Sequence, residues 1–240
     1  MSLVFTGGDS DKVDVGTGAS LELNTGTILV WTNPTSLPNA TLRILFSKGP
    51  VATNDLAFNA SGGANNLVIQ RRRTGGIGSC IAQADWSNVP FAATNVWNFW
   101  GCQFNTSGVD TDQKLFGGDL TNPAQEVGTY FSQAVGSGTV SDMAGMNAQV
   151  GNTDSGDFSW PGQIAWVSVW NRLLTLAEIR FQQFRPAYDT GCVLLTHYGG
   201  PANGVGTQTD LSGNGNNGTI TGATQGSLIP LPYWFNLGRF

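Results

Sequence analysis

Apolar residues recur at every second position over short stretches of the chain. Leu42, Ile44 and Phe46 alternate with Arg43 and Ser47. Trp97 and Phe99 point one way, and Trp100, Cys102 and Phe104 the other. Ile164, Trp166 and Trp170 alternate with Ala165, Val167 and Val169. A period of two is that of a strand, whose side chains alternate between two faces. Short runs such as Thr27–Trp31 and Leu67–Ile69 carry the β-branched residues that suit a pleated surface. Turn signals punctuate them at Gly7-Gly8, Asn33-Pro34, Gly62-Gly63, Gly75-Gly76, Gly117-Gly118 and Gly151-Asn152. Many short strands between such turns predict an all-β sandwich or jelly roll. One segment departs from the pattern. Thr175 is followed three residues later by Glu178, the spacing of a capping box. Leu176, Ile179 and Phe184 then share a face, which predicts one short helix on the sandwich edge, ending before Pro186.

Composition changes at Pro186. Residues 199–222 are dense in Gly, Asn and Thr, and the last ten residues are aromatic and apolar. The expected organisation is a sandwich over residues 1–185 and an extension over 186–240. An apolar tail left in water is an aggregation liability. Tyr233, Trp234, Phe235 and Phe240 are therefore expected to dock, either on their own sandwich or on a partner subunit.

Charge narrows the partners. Only 11% of the 240 residues are charged, against about 25% in an average globular chain. The surface must then be built mainly from Ser, Thr, Asn and Gln. A net charge of −5 gains nothing from counterion release on a phosphate backbone, so nucleic acid is not an expected partner. No apolar run approaches the length of a membrane-crossing helix. The first residues lack the charged and apolar regions of an export signal. The three cysteines form no CxxC pair and are expected to be buried thiols.

Little in the chain points to catalysis. A glycanase needs two carboxylates beside one bond. The three glutamates, Glu22, Glu126 and Glu178, are far apart in sequence, and Glu178 already has a capping role. The single histidine, His197, has no nucleophile in a recognisable motif and cannot by itself supply a zinc site. Glycan recognition needs aromatic platforms beside amides and hydroxyls. Trp86, in Asp85-Trp86-Ser87-Asn88, and Trp160, in Ser159-Trp160-Pro161, stand nearest to expected loops and are the candidates.

Several segments together carry a resemblance. They are Phe5-Thr6-Gly7-Gly8, Thr27–Trp31 with Pro34, Leu45–Gly49, Trp97–Phe99 and Lys114–Gly118. The densest is Phe158 to Ile179, with Gly162, Ile164, Val167, Val169, Trp170, Asn171, Arg172, Leu174, Thr175 and Glu178. A further one is Asp210–Thr219 followed by Thr221-Gly222-Ala223. The chain thereby resembles the LamG-like and pentraxin-like jelly rolls of the concanavalin A-like lectin/glucanase superfamily. The late position of the Asp210 segment resembles short phage-encoded members. The resemblance implies a concanavalin A-like jelly-roll β-sandwich. It also implies a calcium ion as a candidate cofactor, and the loop with Asp154 and Asp157 is the first place to look for it.

Fold alone does not give function, since this fold serves lectins, surface modules and glycanases alike. The expectation from the sequence is a non-enzymatic virion surface protein. It would be made in a host cytoplasm and act as a capsid decoration (cement) or fibre-associated jelly roll. It would form homo-oligomers and contact a major capsid protein. The alternative is a glycan-binding, lectin-like module that acts outside the cell on surface glycans. A glycanase stands third.

Overall fold

A computed structural model describes residues 2–7, 10–37, 41–49, 55–61, 65–76, 78–187, 189–198 and 205–230. In chain order the first strands are β1 (Leu3–Thr6), β2 (Lys12–Gly16), β3 (Thr25–Pro34), β4 (Arg43–Lys48), β5 (Leu56–Ser61) and β6 (Asn66–Arg71). Next come β7 (Arg73–Thr74), β8 (Cys80–Asp85), β9 (Asn98–Asn105), β10 (Lys114–Asp119), β11 (Gln125–Glu126), β12 (Ser132–Ala134) and β13 (Thr139–Val140). The last are β14 (Ala148–Val150), β15 (Pro161–Trp170), β16 (Cys192–His197), β17 (Val205–Gln208), β18 (Gly218–Thr221) and β19 (Thr224–Gln225). One helix, α1 (Leu176–Phe184), separates β15 from β16.

All the strands but β7 and β13, which pair with each other, form the two antiparallel sheets of a jelly roll. The first runs β11-β10-β9-β3-β15-β1-β19, with β16 also paired to β15. The second runs β12-β8-β6-β5-β4-β14-β2-β18-β17. The core between them takes Leu3, Phe5, Val13, Val15, Ile28, Val30, Phe58, Leu67 and Trp100, all nearly inaccessible to water. Residues 192–225, beyond the boundary expected at Pro186, supply strands to both sheets. The described part of the extension is therefore woven into the sandwich.

The first sheet is apolar on its outer face as well. Leu29, Trp31, Phe99, Trp166 and Trp170 make a second cluster there, with Ile179 of α1 packed into it. Trp31 Nε1 donates to the Gln183 carbonyl at 2.7 Å, so the helix lies across this face rather than along the edge. The capping box is present. The Glu178 amide donates to Thr175 Oγ1 at 3.2 Å, and the Thr175 amide donates to the Glu178 carboxylate at 2.7 Å. The chain leaves the helix at Arg185, before Pro186.

Two expected alternations fail at β-bulges, where one extra residue shifts every later side chain to the other face. The register of β15 against β3 shifts between Ile164 and Trp166. Ile164, Val167 and Val169 consequently face the inter-sheet core, and Ala165, Trp166 and Trp170 the outer layer. A second shift between Ile44 and Phe46 puts both Leu45 and Phe46 in the inner core. The alternation of Trp97 and Phe99 against Trp100, Cys102 and Phe104 holds. Gly162 at the start of β15 has φ +137, and a Cβ there would lie 2.3 Å from the Asn33 carbonyl oxygen. Only glycine permits that approach.

The segment Asp210–Thr219 is a structural clamp. The buried Asp210 carboxylate accepts the amides of Leu195, Ser212 and Asn216 at 3.0, 2.9 and 3.0 Å. Asn216 Nδ2 donates to the Val193 carbonyl at 2.7 Å and Asn214 Nδ2 to that of Cys192 at 3.0 Å. The motif thus fastens the loop before β18 onto β16.

Candidate functional site

Along β6, Leu67, Ile69 and Arg71 fall on the inner face by strand alternation. Leu67 and Ile69 enter the core. Arg71 closes the strand where the two sheets part, and only 2% of it is exposed. Its donors are all placed. Nε donates to Leu23 O at 3.0 Å, and Nη1 to Asp55 O at 3.1 Å and Ser141 Oγ at 2.8 Å. Nη2 donates to Asn24 Oδ1 at 3.3 Å and Ser141 O at 2.6 Å. Burial pulls its pKa down, and Asp55, Cys80 and Asp142 partly offset this. The guanidinium joins the turn before β3, the approach to β5 and the segment after β13.

Above this joint opens a pocket of about 250 Å³, lined by Glu22, Asn24, Arg71, Ser141, Asp142 and Met143 among others. Asn24 Oδ1 is taken by Arg71, which leaves its NH₂ group for a ligand. Ser141 Oγ accepts from Arg71 and donates to Arg72 O at 3.1 Å. One oxygen of Asp142 accepts the Ala144 amide at 2.9 Å, and the other stays open. Among the described residues neither Glu22 nor Asp142 is in an ion pair. Two carboxylates and one amide thus face a small cavity. Carboxylates accept hydroxyl protons and an amide NH₂ donates, which is the pairing a polyol needs.

The outer face of the second sheet is polar. Thr207, Thr219, Asp14, Gln149 and Ser47 stand in register across five adjacent strands. The loop after β14 folds over part of this row. Ser47 Oγ donates to Asn152 O at 3.1 Å, and Gln149 Nε2 to Asp154 Oδ1 at 3.2 Å. Gln149 Oε1 is buried there without a hydrogen-bond partner.

Asp154 and Asp157, the calcium candidates, lie in the same loop. Asp154 Oδ1 is occupied by amide donors, from Gln149 and from Asn147 Nδ2 at 3.1 Å. Asp157 accepts from Ser155 Oγ. Among the described residues no three acidic, His or Cys side chains converge as metal ligands. Calcium needs six to eight oxygens. Asp154 and Asp157 do not supply such a set, and their loop is held instead by Asn152, whose Nδ2 donates to Asp11 O and Gly156 O, both at 3.1 Å.

The two tryptophan candidates need correction. Trp160 is 0% exposed and Trp86 7%. They flank Trp100 in the inter-sheet core, with ring centroids 5.6 and 5.0 Å from it. Nearness to a turn in sequence misled here, because both rings pack inward against Trp100. Among the described residues the exposed aromatics are Phe131 at 77% and Phe181 at 50%. Tyr233, Trp234, Phe235 and Phe240 lie outside the described residues. His197 stacks on Trp166 at 6.3 Å, and burial lowers its pKa to about 4. The three cysteines are buried and free.

Sequence reasoning missed the rim pocket. Its lining comes from Glu22, Asn24, Arg71 and residues 140–143, which only the folded topology brings together. The basic run Arg71-Arg72-Arg73 was the available signal. Period-two alternation sends Arg71 inward, and an inward arginine must find acceptors.

No family profile and no curated protein sequence matches the chain. Solved structures do. It is similar to a heptameric SAP-like pentraxin from Limulus polyphemus at 12% identity and a TM-score of 0.52, over 75% of this chain and 80% of that one. It is also similar to a putative carbohydrate binding protein from Bacteroides ovatus at 15% identity and a TM-score of 0.59. That match covers 96% of this chain and 61% of the other, so this chain spans about three-fifths of that protein. At such identities the likeness establishes the fold alone: this chain is a jelly-roll β-sandwich.

Proposed function

We propose that the chain is a non-enzymatic carbohydrate-binding module whose ligand seats in the rim pocket over Arg71. The lining carries the proposal: Glu22 and Asp142 as acceptors and Asn24 as donor, on a frame locked by a buried guanidinium. The likeness to a putative carbohydrate binding protein supports it at the level of fold. Among the described residues no aromatic ring lines the pocket, so recognition there rests on hydrogen bonds and not on the aromatic platform expected from the sequence. The reading carries a location outside the cell, where surface glycans are found.

The virion decoration reading rests on the order of the motifs and on residues 231–240, which lie outside the described residues. The pocket and the polar sheet face add nothing to it, and the carbohydrate reading takes precedence.

The test is a glycan array probed with the wild-type protein and with Asn24→Ala/Asp142→Ala. Selective binding that the double variant loses, with unfolding unchanged, supports the site. Binding that survives in the double variant places the ligand elsewhere. Release of new reducing ends from a bound oligosaccharide would overturn the non-enzymatic part.

A further inference from the structure

The charges that face the rim pocket are unequal in what they can offer a ligand. Arg71 is 2% exposed, and its N–H groups are committed to Leu23, Asn24, Asp55 and Ser141. Lys48, which feels the charge of Glu22, is 0% exposed and donates its Nζ to Met146 O at 2.8 Å. Arg71 has no donor left for an incoming anion, and Lys48 is shut away from solvent. Glu22 and Asp142 are open to solvent on at least one oxygen and are in no ion pair among the described residues. A ligand entering the pocket therefore meets two anions and an amide NH₂, with both cations buried.

From this geometry we infer that the pocket takes uncharged, hydroxyl-rich sugars and rejects sialylated, sulfated and uronic-acid glycans. The inference rests on the carbohydrate-binding reading and adds its ligand class. Neighbouring hydroxyls donate to Glu22 and Asp142, while Asn24 Nδ2 donates to a ring or hydroxyl oxygen. A carboxylate or sulfate in the same place cannot donate to either acid and is repelled by both. Specificity arises from this repulsive element as much as from the new hydrogen bonds.

The experiment compares matched probes: N-acetyllactosamine with and without terminal sialic acid, the same disaccharide with and without sulfate, and a neutral glucan oligosaccharide against its uronic-acid counterpart. Binding of each to the whole chain is followed by calorimetry at low and at raised ionic strength. The inference predicts about tenfold weaker binding for each acidic member, with a gap that narrows as salt screens it. It also predicts that Glu22→Gln/Asp142→Asn closes most of the gap. Glu22→Gln alone, at a partly exposed position, provides the same comparison if the double variant is unstable. Equal or tighter binding of the acidic members overturns the inference, as does a gap unchanged in both variants. Failure of every probe of either charge overturns the carbohydrate-binding reading itself.

Discussion

Replacing Arg71 with leucine tests the joint that shapes the pocket. The substitution removes five hydrogen bonds, to Leu23 O, Asp55 O, Asn24 Oδ1 and the hydroxyl and carbonyl of Ser141. Bonds to a charged group contribute about 1.5–3 kcal/mol each in mutational series. Their simple sum overshoots, because keeping a guanidinium out of water itself costs several kcal/mol. The net loss expected is about 3–5 kcal/mol, the range seen when one partner of a buried charged pair is removed. In a chain of this size each kcal/mol moves Tm by about 2–4 °C, so Tm should fall by roughly 6–20 °C. Arg71→Lys keeps the charge and at most three donors, and its loss should be about half as large. Urea unfolding followed by tryptophan fluorescence measures both variants. A leucine variant within about 1 kcal/mol of wild type would refute the argument, since the five bonds would then contribute no net stability.

Three further outcomes follow from the same structure. Trp160→Ala should cost about 3–5 kcal/mol in urea unfolding, as expected for a fully buried aromatic; a loss below about 1 kcal/mol would return Trp160 to the surface. Thr175→Ala should cost about 1 kcal/mol by removing the N-cap of α1, read as a shifted urea midpoint with unchanged slope. His197 is pulled down to about 4 by burial, with the N-terminal charge as a smaller cause, so the unfolded chain takes up its proton first as the pH falls. Its contribution is intact above about pH 6.5 and is lost between there and about pH 4. His197→Gln should therefore flatten the fall in urea midpoint across that window relative to wild type, and parallel curves would contradict the burial of the ring.

Much of the fold was legible because strand alternation is a local signal. The two-faced strand around Trp97–Phe104 and the Thr175–Glu178 capping box appear as read. The β-bulges at Ile44/Phe46 and Ile164/Trp166 were not legible, because an extra residue leaves no mark on composition yet inverts the faces that follow. The placement of α1 over the outer layer was hidden for a related reason. Once the bulge turns Trp166 outward beside Trp31, that face needs a cover. The site was largely illegible. Glu22 looked isolated from other carboxylates, and only the closure of the two sheets brings Asp142 into the same lining. Trp86 and Trp160 looked like loop residues, but the core around Trp100 takes both rings.

The central claim is that a glycan occupies the rim pocket, and nuclear magnetic resonance tests it most directly. Backbone and side-chain amide shifts are assigned for the chain and followed while the best array ligand is added. The account predicts saturable shifts concentrated at Glu22, Asn24, Ser141 and Asp142, including the Asn24 side-chain NH₂, with little change around Trp160. Shifts confined to another surface, such as that around Phe131, or no shifts with any array ligand, would contradict it.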